Sequence, residues 1–320
     1  MPLFLMLYEE INMLQSFTVV GTQVFILFIL IGIGFLGARN GIIQKEGVST
    51  ITEIMLYIVT PCVIIHAFQR DFEPSLLKGF LISFMAAVLS HVLCILMGKL
   101  FIHNSDDDKN RLFRFGVIFS NCGFMSLPLL DALLGSEGVF YGASYVAVFN
   151  LFLWSYGLVI MDRTGGGLSL KKIVLNPGVI PVAIGLLFFF TSFKLPGLIA
   201  VPVEYLAALN TPVPMLVIGY NVSKIDFKKA MRDKDEYIMM LLRLLVCPAL
   251  ILTILYLVGI RGVLLIACAV SSSAPVAASS TMFTIKFGGN SELSSETVAV
   301  STLFSIITMT LIVGIAFAIA

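Results

Sequence analysis

Two polar segments, each containing a proline, interrupt long apolar stretches of the sequence. The first runs from Ser120 to Pro128 and reads SNCGFMSLP, and the second runs from Ser271 to Pro275 and reads SSSAP. A proline removes one helical hydrogen bond and clashes with the preceding turn, so each segment predicts an interrupted helix. The helix that resumes after an interruption presents free N–H groups and a positive dipole end, which suit an anion such as a carboxylate. An ordinary proline kink is the alternative.

Asn121 is the first candidate for contact with such an anion. Its amide can donate to a carboxylate and accept from a backbone N–H, and bracing the interruption is the alternative role. Arg243 could bind the anion or pair with a carboxylate such as Glu53 or Glu204, because an unpaired charge is costly inside a membrane. The candidate substrate-binding residues are Asn121, Pro128, Asn150, Arg243, Ser272, Ser273 and Pro275.

Four other ionisable residues are candidates for coupling or gating, namely Glu53, His91, Asp131 and Glu204. His91 could carry a proton because histidine titrates near neutral pH, and a packed, hydrogen-bonded histidine is the alternative. For the three acidic residues the alternatives are a structural role or simple exposure. No cofactor or metal site is predicted, because the three histidines form no HExxH pair.

The composition shows where these residues must lie. The chain has 320 residues, of which 58% are hydrophobic and 12% charged, and its formal net charge is +1. Soluble domains carry about 25% charged residues, so a soluble enzyme is excluded. A nucleic-acid partner is not expected, because it would require a basic face. The sequence therefore predicts an all-α polytopic membrane protein.

Ten apolar stretches are long enough to cross the hydrocarbon core as helices. They are continuous, whereas a barrel would show short alternating segments. The predicted spans are roughly 19–38, 46–68, 75–102, 111–134, 137–161, 173–193, 198–222, 236–258, 261–285 and 292–319.

The Lys and Arg residues predict the orientation of these spans. Most of the 20 lie in the loops that follow odd-numbered spans. Cytoplasmic loops carry an excess of Lys and Arg, so these loops are expected in the cytoplasm and both termini outside it. We expect a multi-pass protein of the plasma membrane.

The chain also contains an internal repeat. Glu53 is followed after six residues by Thr60-Pro61, and Glu204 is followed after six residues by Thr211-Pro212. Pro128 and Pro275 are separated along the chain by nearly the same number of residues as the two Thr-Pro motifs. Residues 1–165 and 166–320 are therefore predicted to be two five-helix halves. Because five is odd, the second half enters the membrane inverted, an arrangement common in secondary transporters.

These motifs together resemble the auxin efflux carrier family, the bacterial relatives of plant auxin exporters. The resemblance covers most of the chain. It is carried by the segment 120–130, Asn176-Pro177 with Gly185, Thr211-Pro212 with Gly219, and Ala274-Pro275 with the segment 301–305.

The resemblance implies a fold and a function. The fold is a five-plus-five inverted repeat in which the fourth and ninth helices are broken and crossed. A transport domain (spans 3–5 and 8–10) moves against a scaffold (spans 1, 2, 6 and 7). The partners are a membrane lipid environment and a small organic anion, which is auxin in plants and a dicarboxylate such as malate or malonate in bacteria. The coupling ion, H⁺ or Na⁺, and the oligomeric state, including a homodimer, stay open.

The chain departs from the plant members in two places. It lacks their long cytoplasmic loop after the fifth span, and it carries Ser271–Ser273 where they tend to place an asparagine. A sodium-coupled carrier similar to the bile-acid symporters is one alternative, and a channel or an intramembrane enzyme is another. No motif for intramembrane proteolysis is visible, so the chain is not expected to be an enzyme.

Overall fold

The computed structural model describes residues 13–162, 178–224 and 234–320, with side chains from residue 17 onward. The motif Asn176-Pro177 and the predicted boundary between the two halves lie outside these residues. The described helices are α1 (Met13–Arg39), α2 (Lys45–Ala67), α3 (Pro74–Phe101), α4 (Asp107–Ile118), α5 (Cys122–Met161), α6 (Ile180–Thr191), α7 (Gly197–Ser223), α8 (Lys234–Leu257), α9 (Gly262–Ser273), α10 (Ser279–Lys286) and α11 (Ser291–Ile319).

Seven of the helices in the described ranges are long and apolar enough to cross a membrane, namely α1, α2, α3, α5, α7, α8 and α11. The sequence predicts ten spans, and the difference between ten and seven has identifiable structural reasons. The fourth and fifth predicted spans share α5, which turns at Gly135, where a positive φ of 62° breaks the helix. The ninth is divided into α9 and α10, and the sixth is described only from Ile180 to Thr191.

Three prolines are held inside helices by a widened turn. Pro61, Pro128 and Pro248 each stand two residues after a π-helical turn, at Met55–Val59, Cys122–Ser126 and Leu242–Val246 respectively. A proline lacks the N–H for the usual bond and crowds the preceding turn, and a wider turn accommodates both defects.

The first interruption therefore lies before Pro128 rather than at it. Helix α4 ends at Ile118, Phe119 is extended, and the chain becomes helical again at Cys122. The second interruption follows Ser273 and contains Pro275, as the sequence predicts.

Helices α1 and α7 are packed at very short range. A Cβ added at Gly219 would overlap the carbonyl of Ile31, and one added at Gly34 would overlap the backbone of Leu216. Small residues let helix backbones approach closely in a membrane, where there is no hydrophobic drive between helices. Helix α2 in turn packs against α6 and the first half of α7.

The remaining helices surround the two interruptions. Helix α5 packs on α3 and α9, and α11 packs on α9 and α10. The core between them is dominated by aromatic and aliphatic side chains, including Phe115, Phe119, Phe140 and Phe283. This packing places both interruptions deep inside the protein.

Candidate functional site

The two interruptions are joined to each other by backbone hydrogen bonds. The Asn121 N–H donates to the Pro275 carbonyl at 2.7 Å, and the Ala277 N–H donates to the Phe119 carbonyl at 2.9 Å. Ser120 and Val276 thereby form an isolated antiparallel bridge. We call this contact the junction. It supplies partners for backbone groups that would otherwise be unsatisfied in a lipid environment.

Serine hydroxyl groups complete the junction. Ser120 Oγ donates to the Ser271 carbonyl at 3.1 Å, and Ser126 Oγ donates to the Val270 carbonyl at 3.1 Å. The Val276 N–H donates to Ser301 Oγ at 3.2 Å. These serine hydroxyl groups therefore satisfy backbone groups at the two interruptions.

Arg243 lies against the junction and is 0% exposed. Its guanidinium donates to the carbonyls of Val117 at 3.1 Å and Ile118 at 3.4 Å, and to the carbonyl of Ser272. These carbonyls are in the last residues of α4 and α9. Within the described ranges the guanidinium thus bonds carbonyl oxygens rather than either of the carboxylates considered from the sequence.

A cavity of about 130 Å³ adjoins the junction. We call it the junction cavity. Its polar side chains include Thr60 of α2, Asn121, Asn150 of α5 and Ser279 of α10. Its apolar walls include Leu56, Phe124, Phe149, Leu153, Trp154 and Met282.

Three polar atoms at the junction cavity have no hydrogen-bond partner within the part of the chain that the structure describes. They are Thr60 Oγ1, Asn121 Nδ2 and Ser279 Oγ. Thr60 is 5% exposed and Asn121 is 4% exposed, so water reaches neither side chain freely. A buried polar atom without a partner costs free energy, and a ligand with complementary polar atoms would relieve that cost.

Two of the described helices begin at the junction cavity. Helix α5 starts immediately after Asn121, and helix α10 starts at Ser279. The first N–H groups of a helix lack intrahelical partners and carry a partial positive charge. None of the described residues that line the cavity has an ionisable carboxylate, ammonium, guanidinium or imidazole group. Backbone dipoles and neutral polar side chains are therefore the polar groups that line the cavity among the described residues.

The structure brings together only some of the substrate-binding residues predicted from the sequence. Asn121 and Asn150 line the cavity, and Asn150 Nδ2 donates to the Val146 carbonyl at 2.9 Å. Pro275 contributes its carbonyl to the junction. Pro128, Arg243, Ser272 and Ser273 are not among the lining residues.

The two predicted serines make hydrogen bonds within their own helix. Ser272 Oγ donates to the Ala269 carbonyl at 3.2 Å, and Ser273 Oγ donates to the Val270 carbonyl at 3.4 Å. The sequence did not single out Trp154 or Ser279 as site residues. It marked Thr60 only as part of the repeat, and that repeat was the available signal.

A second cavity of about 210 Å³ lies between α2, α5 and α7. Its lining includes His66, Asp131, Glu204 and Asn210, and we call it the acidic cavity. The two cavities are about one helical turn apart, because Thr60 and Phe124 line the first while Val63 and Leu127 line the second.

The coupling and gating candidates are separated in the structure. Asp131 and Glu204 meet at the acidic cavity, where His66 joins them. Glu53 is exposed and lines neither cavity. His91 is buried, and its Nδ1 is hydrogen-bonded to the Ala87 carbonyl at 2.7 Å. Its ring stacks on the ring of Phe152, with 4.9 Å between the ring centroids. The described residues include no group of three or more His, Cys, Asp or Glu side chains that could hold a metal ion.

Comparison with known proteins identifies the class of molecule that carries this site. A family model described as "Membrane transport protein" matches residues 19–171 and 167–313. The chain therefore belongs to this family, the auxin efflux carrier family, and the resemblance drawn from its motifs is confirmed.

Two archaeal relatives extend the similarity over nearly the whole chain. An uncharacterized transporter from Methanocaldococcus jannaschii is 26% identical over 304 residues, covering 91% of this chain and 95% of the relative. An uncharacterized transporter from Methanothermobacter thermautotrophicus is 23% identical over 297 residues, covering 89% and 94%. The family and both relatives point to transport rather than catalysis.

Proposed function

We propose that this protein is a secondary transporter that carries a small organic anion through the junction cavity. One observation carries the proposal: two helix N-termini and the buried, unpartnered Asn121 amide meet at a cavity whose described lining has no ionisable side chain. Backbone N–H groups and an amide donor suit a carboxylate, and the positive dipole ends favour negative charge.

The walls of the junction cavity favour one class of carboxylate. Phe124, Phe149, Trp154, Leu56 and Met282 surround the polar end with apolar surface. A dicarboxylate such as malate would place its second charge against this surface, where burial of an unpaired charge is costly. A monocarboxylate with an apolar or aromatic body would pack against these walls and place its single charge beside the helix N-termini and the Asn121 amide. We therefore place aromatic monocarboxylates before malate and malonate as substrates.

We further propose that the chain crosses the plasma membrane ten times as two inverted five-helix halves, with both termini outside the cytoplasm. The repeated motif supports this architecture. Thr60-Pro61 and Thr211-Pro212 are related by the repeat, yet Thr60 lines the junction cavity and Thr211 lines the acidic cavity. Inversion predicts that related residues open toward opposite faces of the membrane.

Alternating access would then connect the two cavities in turn. In this scheme α1, α2, α6 and α7 form the scaffold, which is supported by the close contact of α1 with α7. The helices that surround the junction form the moving part. His66, Asp131 and Glu204 at the acidic cavity are the groups available to handle a coupling H⁺ or Na⁺.

The single tryptophan of the chain provides a direct binding assay. Trp154 is the only tryptophan, and it lines the junction cavity. We expect phenylacetate, added to purified protein in nanodiscs, to change Trp154 fluorescence saturably, with malate and malonate giving weaker responses. Labelled phenylacetate should exchange across proteoliposome membranes and show counterflow.

Asn121→Ala should weaken phenylacetate binding by about 10- to 150-fold, because a hydrogen bond to a charged group contributes roughly 1.5–3 kcal/mol. Asn210→Ala is the matched control. Asn210 is also 4% exposed and also carries an unpartnered amide atom, but it lines the acidic cavity. Equal losses in the two variants, or no saturable response from any acid in the wild type, would contradict the proposed site.

A further inference from the structure

We infer that Arg243 sets the charge selectivity of the junction cavity, although it does not line that cavity. The inference rests on the proposed function and adds a specificity-determining residue to it. The guanidinium neutralises the negative ends of the two helices that stop at the junction. Only the positive ends of the two helices that start there remain to act on a ligand.

The position of Arg243 supports the first part of this inference. Its hydrogen bonds go to the carbonyls of Val117 and Ile118 at the end of α4, and of Ser272 at the end of α9. The last carbonyls of a helix have no intrahelical partner and carry a partial negative charge. One guanidinium therefore caps the terminal carbonyls of both halves of the molecule at once.

The charges balance when the four helix ends are counted together. Each helix end is equivalent to roughly half an elementary charge, negative at the C-terminus and positive at the N-terminus. The ends of α4 and α9 together offset the single positive charge of Arg243. The starts of α5 and α10 then leave about one positive charge beside Asn121 and Ser279, enough to pair with a monocarboxylate.

Removal of the Arg243 charge would cancel that attraction. The two negative ends would then oppose the two positive ends across the junction. Ile118 and Asn121 are three residues apart, so these ends are separated by about 10 Å or less. The site is buried, and buried charges at this separation are only weakly screened by salt.

The decisive test uses ligands that differ in charge but little in shape. Phenylacetate carries one negative charge, phenylacetamide is neutral, and phenethylamine carries one positive charge. Each is titrated into protein in nanodiscs, and binding is followed by Trp154 fluorescence. For Arg243→Gln we expect phenylacetate to bind about tenfold more weakly, phenylacetamide to change less than about twofold, and phenethylamine to bind more tightly than it binds to the wild type.

A second variant neutralises the same charge without removing the arginine. Cys94 Sγ is 3.8 Å from Arg243 Nη1, so Cys94→Asp would place a carboxylate against the guanidinium. We expect the same dependence on ligand charge in this variant. Cys94→Asn adds a side chain of similar shape without charge, and it should leave the ratio of phenylacetate to phenylacetamide affinity unchanged. Cys94→Asp keeps the inference testable if Arg243→Gln does not fold.

Arg114→Gln is the matched control for the loss of a capping arginine. Arg114 donates to the carbonyl of Ile102, just beyond the end of α3, and does not line the junction cavity. It should leave all three affinities unchanged. Losses of equal size for all three ligands in Arg243→Gln and Cys94→Asp would overturn the inference and leave Arg243 a purely structural residue. Absence of any binding to the wild type would instead refute the proposed function itself.

Discussion

The junction cavity and the acidic cavity are about one helical turn apart, yet the described residues that line them carry different kinds of polar groups. The acidic cavity is lined by the ionisable side chains of His66, Asp131 and Glu204, all of which are exposed. The described lining of the junction cavity has none, and its polarity comes from helix ends and three unpartnered side-chain atoms. An ionised side chain deep in a membrane is costly, whereas a helix end is part of the fold. The two cavities therefore differ in the kind of polar group that the described residues place in their walls.

A carboxylate introduced into each cavity in turn should give the largest difference in phenylacetate affinity between the two cavities. Thr60→Asp puts a negative charge inside the junction cavity, and we expect about a 100-fold loss of phenylacetate affinity from repulsion at a separation of about 6 Å. Thr211→Asp is the related change at the acidic cavity, where water screens the charge, and it should cost threefold or less. Trp154 fluorescence titrations compare the two variants. Similar losses would show that the cavities do not differ electrostatically.

Removal of one hydroxyl group tests an unpartnered atom of the junction cavity, with a smaller expected loss of affinity. Ser279→Ala should weaken phenylacetate binding by about tenfold, the lower limit for a hydrogen bond to a charged group, which contributes roughly 1.5–3 kcal/mol. Ser136→Ala is the control, since Ser136 lines the acidic cavity and accepts a hydrogen bond from Arg70 at 2.9 Å. It should leave the dissociation constant unchanged. An unchanged constant in Ser279→Ala would remove that hydroxyl from the binding site.

The smallest effect is expected from the acidic cavity itself. Glu204→Gln removes an exposed negative charge near the path of the anion, so the KM for uptake from that side should fall about two- to threefold at low salt. The change should vanish at high salt, because exposed charges are screened. Glu53→Gln is the repeat-related control, since Glu53 lines neither cavity. A larger KM in Glu204→Gln would instead indicate that this carboxylate binds a coupling cation.

The sequence identified the polar interruptions but misplaced one of them. Pro275 lies in the second interruption as predicted, because no helical turn adjusts around it. Pro128 instead lies inside a helix, where the π-helical turn at Cys122–Ser126 accommodates it. The helix is interrupted at residues 119–121. A widened turn has no reliable sequence signal, so local rules alone could not distinguish the two prolines.

The site was predictable where it depended on an unusual residue and not where it depended on packing. Asn121 is conspicuous in an apolar stretch and lines the junction cavity. Trp154 and Met282 look like ordinary apolar positions, because a helix that is apolar on all sides gives no periodicity to show which face meets a cavity. The partners of Arg243 were equally hidden, since backbone carbonyls at helix ends have no residue type.

The junction also bears on how such carriers can diversify. Its two central bonds, from Asn121 to Pro275 and from Ala277 to Phe119, join main-chain atoms. Main-chain atoms are present whatever side chains are attached, so substitutions around the cavity can accumulate over generations without loss of the bonds between the two interruptions. A lineage can in this way acquire new cargo while these contacts between peptide groups are inherited intact.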